Sequence, residues 1–431
     1  MLGSGTFVTQ NKTLPGAYFQ FISKATATAA LSNRGTAAMA MELNWGADGE
    51  IFTVEASEFM KNSQKIFGYD YTAEEMKFIR ELFRHANTVH FYKLASNGVK
   101  ASNAYATAVC SGKRGNDLSV GITKGEDEAS YAVTLYLGNS KVDEQIVASA
   151  AALKDNKFVV WNKEAELEVT AQVSLENGTN GTTNAEAHQT FLNKLEAYPD
   201  VNAIGYMGTD KAVKNLYIAY AKRMRDEVGI KLQVVIHDAQ ADAIIPDSIA
   251  VVNVKNQADI IPWVTGVVAG TAVNKSATNM KYDGEVTVDT EYTKKALEEF
   301  LKAGEFVLHQ VGKEVRVLED INSLVSVTDE QGEVFKDNQT VRVIDSIATS
   351  IAGAFANKYL GKVPNDVSGR ISLWSDIVKI HQQLNDIQAI ENFESGDITV
   401  AKGDTKKAVV VNSAITIVNS MTKLYMKTVI A

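Results

Sequence analysis

All 52 acidic residues of this 431-residue chain lie between Glu42 and Asp404. Outside that interval the charge is only positive, from Lys12, Lys24 and Arg34 at one end and Lys406, Lys407, Lys423 and Lys427 at the other. Both ends also read as strands, over 16–22 near the start and over 408–412 and 424–430 near the finish, where Tyr, Phe, Val and Ile recur. A strand at the end of a chain exposes unpaired N–H and C=O groups, which template pairing with another chain. The pattern predicts an acidic body with basic, adhesive arms that close on other copies of the same chain. It points to assembly rather than to chemistry.

Length and charge narrow the class. Single cores stop growing at roughly 250–300 residues, so this chain is expected to hold about two to four domains. A net charge of −9 and a pI near 5.4 exclude the broad basic face that nucleic-acid binding requires. Cys110 is alone, which rules out an intrachain disulfide and reads as a small buried hydrophobe in a reducing compartment. Met1 to Thr13 lacks a basic segment followed by an apolar one, so synthesis in the cytoplasm without a signal peptide is expected. The longest apolar run, 260–273, is too short to span a bilayer, and no membrane insertion is expected.

Along the chain, residues 1–24 read as an N-terminal arm with a turn at Leu14-Pro15-Gly16. Residues 25–97 begin a core, with a helix opened by a capping box of Thr72 and Glu75 and a strand over 88–94. Between 98 and 180, short strands over 104–110, 118–123, 131–137, 158–161 and 168–175 alternate with Gly, Asn and Asp turns, which predicts a β-sandwich. Residues 181–337 alternate helix and strand as an α/β layer, including a helix capped by Asp210 and ended by Gly229. Residues 338–418 give two amphipathic helices and then strands. On the first helix Val341, Ile344, Ile347 and Ile351 form the apolar stripe. Residues 419–431 form a C-terminal arm.

Catalytic and binding motifs are sparse. Ser111-Gly-Lys-Arg-Gly115 lacks the first glycine and the Ser/Thr of a phosphate loop. His237, Asp238 and Asp242, at a strand end in the α/β layer, are the one candidate for a metal or hydrolytic site. A solvated capping cluster is the favoured reading of them, since a metal needs three or four convergent ligands. No catalytic, cofactor-binding or metal residues are assigned, and no cofactor is expected. Gly266 and Gly270 read as core packing, with close helix contact as the alternative. The cluster Arg223-Met-Arg225-Asp-Glu227 reads as a solvated face or a subunit contact.

Several segments together resemble the contractile tail sheath proteins of myophages and R-type tailocins, in the shorter form of Gram-positive defective prophages. They are Leu14-Pro-Gly-Ala-Tyr18, Arg34-Gly-Thr36 and Asn44-Trp-Gly46 near the start. In the middle come Arg223-Met-Arg-Asp-Glu-Val-Gly229 and Ser248-Ile-Ala-Val-Val-Asn253. Asp397-Ile-Thr-Val400, Val409-Val-Val411 and Met421-Thr-Lys-Leu-Tyr-Met426 close the set. Ala17 and Thr422 depart from the residues usual there, Val and an acid.

The resemblance implies an α+β multidomain fold: a β-sandwich domain, an α/β sheath core domain, and a C-terminal helix-plus-sheet domain with exchanged terminal β arms. It implies a helical homopolymer, assembled as stacked hexameric rings around an inner tube, with baseplate and tail terminator proteins as partners. Such a particle would contract by rigid-body rearrangement and be released on lysis. Arm residues expected at subunit interfaces are Phe7, Val8, Tyr18, Phe19, Phe21 and Ile22 at one end and Leu424, Tyr425, Met426, Val429 and Ile430 at the other. The expected receiving sheet carries Ile398, Val400, Val409, Val411, Ile415 and Ile417. Lys12, Lys24, Lys406, Lys407, Lys423 and Lys427 are expected to dock on acidic surface. The alternatives are a non-contractile shell protein and, less favoured, a hydrolase at His237, Asp238 and Asp242.

Overall fold

The computed structural model describes residues 31, 34–95, 97–127, 129–239, 247–329 and 331–430. The expected arm residues Phe7, Val8, Lys12, Tyr18, Phe19, Phe21, Ile22 and Lys24 lie outside them, as does Asp242.

The chain opens with β1 (Thr36–Met41), β2 (Ile51–Glu55), α1 (Ala56–Phe67), α2 (Lys77–Phe83) and β3 (Thr88–Lys93). A second block holds β4 (Lys100–Ser102), β5 (Ala106–Ser111), β6 (Leu118–Lys124), β7 (Tyr131–Leu137), β8 (Ser140–Val147), β9 (Val159–Trp161) and β10 (Thr170–Ser174). There follow α3 (Ala185–Leu195), β11 (Ala203–Tyr206), α4 (Lys211–Arg223), β12 (Gln233–His237), β13 (Val251–Val254), α5 (Ile261–Gly270), α6 (Lys294–Lys302) and β14 (Glu305–Phe306). The short strands β15 (Leu308–Val311) and β16 (Glu314–Val317) pair as a hairpin. The last part is α7 (Asn338–Ala354), α8 (Val367–Asp386), β17 (Ile390–Glu391), β18 (Ile398–Lys402), β19 (Val409–Ser413) and β20 (Thr416–Ile417).

A seven-stranded sheet in the order β14-β13-β12-β11-β1-β3-β2 organises the body. Its pairs are parallel except β2 with β3. Parallel strands covered on both faces read as apolar runs rather than alternations, and Val251-Val-Asn-Val254 and Ala203-Ile-Gly-Tyr206 are fully buried. One face packs on α1, α2 and α5 and the other on α3 and α4. Beside this layer, the sheets β10-β6-β7-β8 and β4-β5-β9 enclose one apolar cluster, to which Trp45 is contributed from the loop after β1.

Two expectations need correction, and one region carried none. The central strand β1 and its neighbours β2 and α1 were not legible, because Thr-Ala-Ala-Met-Ala-Met lacks β-branched and aromatic residues. It works as a strand because Ala37, Ala38 and Met39 are wholly buried between two helical layers. The capping box of Thr72 and Glu75 does not form. The Thr72 amide and hydroxyl both donate to Asp70, at 2.9 and 2.7 Å, and the helix starts instead with a 3-10 turn at Glu74–Met76 that no side chain caps. Gly266 and Gly270 are a close helix contact rather than ordinary core packing. A Cβ there would lie 2.4 Å from the Leu82 carbonyl oxygen and 1.9 Å from that of His85, so α5 crosses α2 backbone against backbone.

The stripe on α7 is also only part of that helix's burial. Val341 is buried but Ile344, Ile347 and Ile351 are half-buried, while Arg342, Asp345, Ser346 and Ser350 are buried on another side. That polar side is tolerated because its charges are paired. Arg342 binds Asp320 at 2.5 Å, and Arg225 holds Asp345 through two bonds of 2.8 and 2.6 Å. Breaking such a buried pair by removing one partner costs about 3–5 kcal/mol. Arg225, from a cluster that reads as a solvated face, therefore ties α7 to the α/β layer, while Arg223 pairs with Glu196 at the surface.

Candidate assembly site

Residues from near both ends of the described chain meet on one small apolar cluster. Val273, Val343, Leu384, Ala389 and Ile390 form it, and Leu31, Ile415 and Ile417 pack against it from the two ends of the chain. On the N-terminal side, the Leu31 amide donates to Gln383 Oε1 at 3.1 Å. Arg34 donates to the carbonyls of Val268 at 2.7 Å and Thr271 at 3.2 Å, at the C-terminal end of α5. A guanidinium there meets the negative end of the helix dipole and satisfies carbonyls left over by the last turn. Burial pushes its pKa down to about 10, with Arg342 as a further opposing charge, so Arg34 stays charged at neutral pH.

On the C-terminal side, Ile417 pairs with Ile390, and the Val418 amide donates to the Ala389 carbonyl at 3.0 Å. The buried side chain of Gln339, in the first turn of α7, then grips the chain on both sides of Asn419. Its Nε2 donates to the Val418 carbonyl at 3.1 Å, and its Oε1 accepts from the Ser420 amide at 3.0 Å. Asn419 Nδ2 donates to Thr340 Oγ1 at 3.2 Å.

Beyond this clasp the protein ends its own contacts. Residues 421–430 form no strand within the single chain, and the expected strand over 424–430 is one that pairs with another copy. Leu424, Tyr425, Met426, Val429 and Ile430 are all 81–91% exposed. Lys423 and Lys427 are exposed and have no ion-pair partner among the described residues. An exposed apolar run of this length is unusual on a monomer and marks an interaction surface.

Next to the clasp stands the hairpin of β18 and β19, held to α8 by its polar groups. Trp374 Nε1 donates to the Ile398 carbonyl at 3.0 Å. His381 Nδ1 lies 2.9 Å from the Ile377 carbonyl, which fixes the proton on that nitrogen and leaves Nε2 to accept from Ser413 Oγ at 2.9 Å. Burial lowers the pKa of His381 and keeps the ring neutral. Of the expected receiving residues, Ile398 is buried, Val400, Val409, Ile415 and Ile417 are half-buried, and Val411 is exposed. Among the described residues, β18 and β19 pair only with each other, so each offers a free edge. Lys406 and Lys407 sit in the hairpin turn and line, with Lys362 and Arg370, a groove of about 640 Å³.

The described members of the strand-end candidate, His237 and Asp238, are engaged elsewhere. His237 Nε2 faces the Asn256 carbonyl at 3.3 Å, and Asp238 pairs with Lys255 at 3.4 Å. Among the described residues, no group of three or more His, Cys, Asp or Glu is placed to hold a metal ion. Cys110 is buried, and burial pushes its thiol pKa up. The Ser111–Gly115 segment belongs to a junction: Lys93 is wholly buried and its ammonium binds Asp48 at 2.9 Å, the Ser111 carbonyl at 2.6 Å and Ser111 Oγ at 2.9 Å. The clasp residues Gln339, Thr340 and Asn419 were not singled out from sequence. Their only signal is a run of polar residues where an amphipathic helix begins.

Comparison with known proteins places these features in a family context. Family models match end to end: tail sheath protein Gp18 domain III N-terminal region over 34–94, phage tail sheath protein beta-sandwich domain over 96–180, phage tail sheath protein central domain over 180–323, and phage tail sheath C-terminal domain over 330–431. The sheath tail protein of Desulfitobacterium hafniense is 32% identical with a TM-score of 0.81, covering 95% of this chain and 99% of that one. The phage-like element PBSX protein XkdK of Bacillus subtilis is 29% identical over 98% of this chain and 99% of its own length. The helical sheath of the anti-feeding prophage in its contracted state shares the fold at a TM-score of 0.58 and 11% identity, covering 97% of this chain and 99% of that one.

Proposed function

Because this chain belongs to the phage tail sheath family, we propose that it is the protomer of a contractile sheath whose copies are linked by exchange of their terminal arms. In this reading, residues 1–24 and 419–431 are the arms, and residues 98–180, 181–337 and 338–418, with the first core segment 25–97, form the body. The observation that carries it is the C-terminal arm: clasped at Gln339 and bare from Met421 onward.

A run of apolar side chains over 424–430 gains nothing in water, but adding it as a strand to a neighbour's β18–β19 edge satisfies its backbone and covers those side chains. Each copy both gives and receives arms, so many weak links act together. The two arms rooted on one cluster would hold neighbours while bodies turn. Contraction is then a rigid-body repacking between two arrays, needing no nucleotide if the extended array is kinetically trapped. The partners are other copies, an inner tube, and baseplate and terminator proteins, in a tail particle.

Deletion of residues 420–431 tests the reading. The variant should stay folded and monomeric while the full chain forms tubes under the electron microscope. Tubes of normal length from the deleted chain would refute arm exchange.

A further inference from the structure

The parallel sheet reverses its direction of growth between β1 and β11. From β1 the chain builds β3 and β2 on one side, then returns to β11 and adds β12, β13 and β14 on the other. In open α/β sheets the crevice outside the carboxyl ends of the strands at such a reversal is where ligands sit. A cavity of about 380 Å³ lies there, with Met41, Phe78, Leu94 and Met207 as apolar wall and Glu42 and His188 as polar groups.

His188 is held in place yet left with bonding capacity, and, among the described residues, Glu42 stands free beside it. His188 is 5% exposed, its Nδ1 bound to the Tyr217 hydroxyl at 2.9 Å and its ring set edge-on to Tyr206 at 5.2 Å. No described residue partners its Nε2. The turn after β11 folds so tightly over the Tyr206 ring that a Cβ at Gly208 would fall 2.2 Å from the phenol oxygen, which keeps that wall aromatic and close. Glu42 is exposed and has no ion-pair partner among the described residues.

The charge around the cavity has one sign. No Lys or Arg lines it, and the carboxylates acting on His188 are Glu42 and Asp210. Burial nevertheless holds His188 below its ordinary pKa, so the ring is neutral at pH 7. An anion at this position of an α/β sheet would rest on the following helix N-terminus. Here Asp210 already occupies it, accepting from the Val213 amide at 3.0 Å. Apolar walls, an aromatic face and a lone carboxylate suit a cation on an apolar stem.

We propose that this crevice binds a primary ammonium group on an alkyl chain, the charge at Glu42 and the stem against Met41, Leu94 and Met207. That chemistry is carried by a free polyamine and by a lysine side chain of another protein. The two sources are separated by probing the full-length protein, labelled at methionine methyls, with spermidine and with Nα-acetyl-lysine amide, and with 1-pentanol as the neutral stem. We expect the Met41 and Met207 signals to shift saturably with at least one amine, and Glu42→Gln to weaken that binding about fivefold. Saturation by spermidine alone would assign the site to a free polyamine; saturation by the lysine amide would assign it to a protein side chain. Silence of both methyls towards both amines would overturn the proposal. So would pentanol binding as tightly as the amine, or an unchanged affinity in Glu42→Gln.

Discussion

Two junctions of this molecule handle polar groups in opposite ways. Where the sandwich meets the parallel sheet, Lys93 is fully buried with three bonds to Asp48 and Ser111, and Asn180 and Arg114 add bonds to Asn44 and to the Gly68 carbonyl. At the C-terminal end, the clasp stops at Ser420 and a run of apolar side chains enters water. The first junction is closed by bonds within the chain. The second has a fixed root and an exposed tip, which fits the proposed exchange: a body held together within the chain, and tethers that find partners outside it.

The contrast can be broken at the closed junction first. Lys93→Met leaves Asp48 and Ser111 without their cation, and should destabilise the monomer by about 3 kcal/mol, measured by urea unfolding. Should the loss stay below about 0.5 kcal/mol, the junction would not be the lock described. Arm-driven tube formation should survive the substitution under conditions where the monomer remains folded.

Acid should act on the open region through His381. Its folded pKa is depressed by burial below the ordinary 6.5, so the unfolded chain takes up the proton first as pH falls. Stability contributed by the neutral ring is therefore fully present above about 6.5 and declines below it. His85, His188, His237 and His309 are depressed by burial too and act in the same sense. Glu81, Glu305 and Asp337, raised chiefly by burial, act in the opposite sense as they protonate. The readout is accordingly a difference: thermal stability of His381→Phe should fall less steeply between pH 6.5 and 5 than that of the parent. Parallel slopes would remove His381 from the account.

The smallest effect on the monomer is expected in the arm itself. Leu424→Ser should change monomer stability by no more than about 0.5 kcal/mol, because the side chain is 90% exposed, while raising the protein concentration needed for tubes. A monomer destabilised by 2 kcal/mol would mean that the arm packs on its own body.

Much of the molecule was legible because its periodicities are local. The strands over 131–137 and 203–206, the helix capped by Asp210 and the two C-terminal helices all carry their own patterns, and each forms close to the expected place. The strand β1 was not legible, since its four central buried residues are alanine and methionine and only burial on both sides makes them strand. Part of the resemblance acquired a physical meaning. Arg34 closes α5, Trp45 fills the sandwich core, and Arg225 bonds to Asp345. The clasp at Gln339 had no sequence signal because its partners, Val418 and Ser420, lie about 80 positions away.

By itself the sequence determined that the ends are basic, free of acid and rich in strand-favouring residues, since charge and β-propensity are properties of the residues at each position. It also determined the alternation of helix and strand that builds an α/β layer. Only the tertiary structure decided that Leu31 meets Ile415 and Ile417 on one apolar cluster, and that residues 421–430 have no strand partner among the described residues. The reason is that hydrogen-bond satisfaction is a long-range property. Whether a segment's N–H and C=O groups are paired depends on which distant edges the fold brings within reach, and among the described residues it brings none to 421–430.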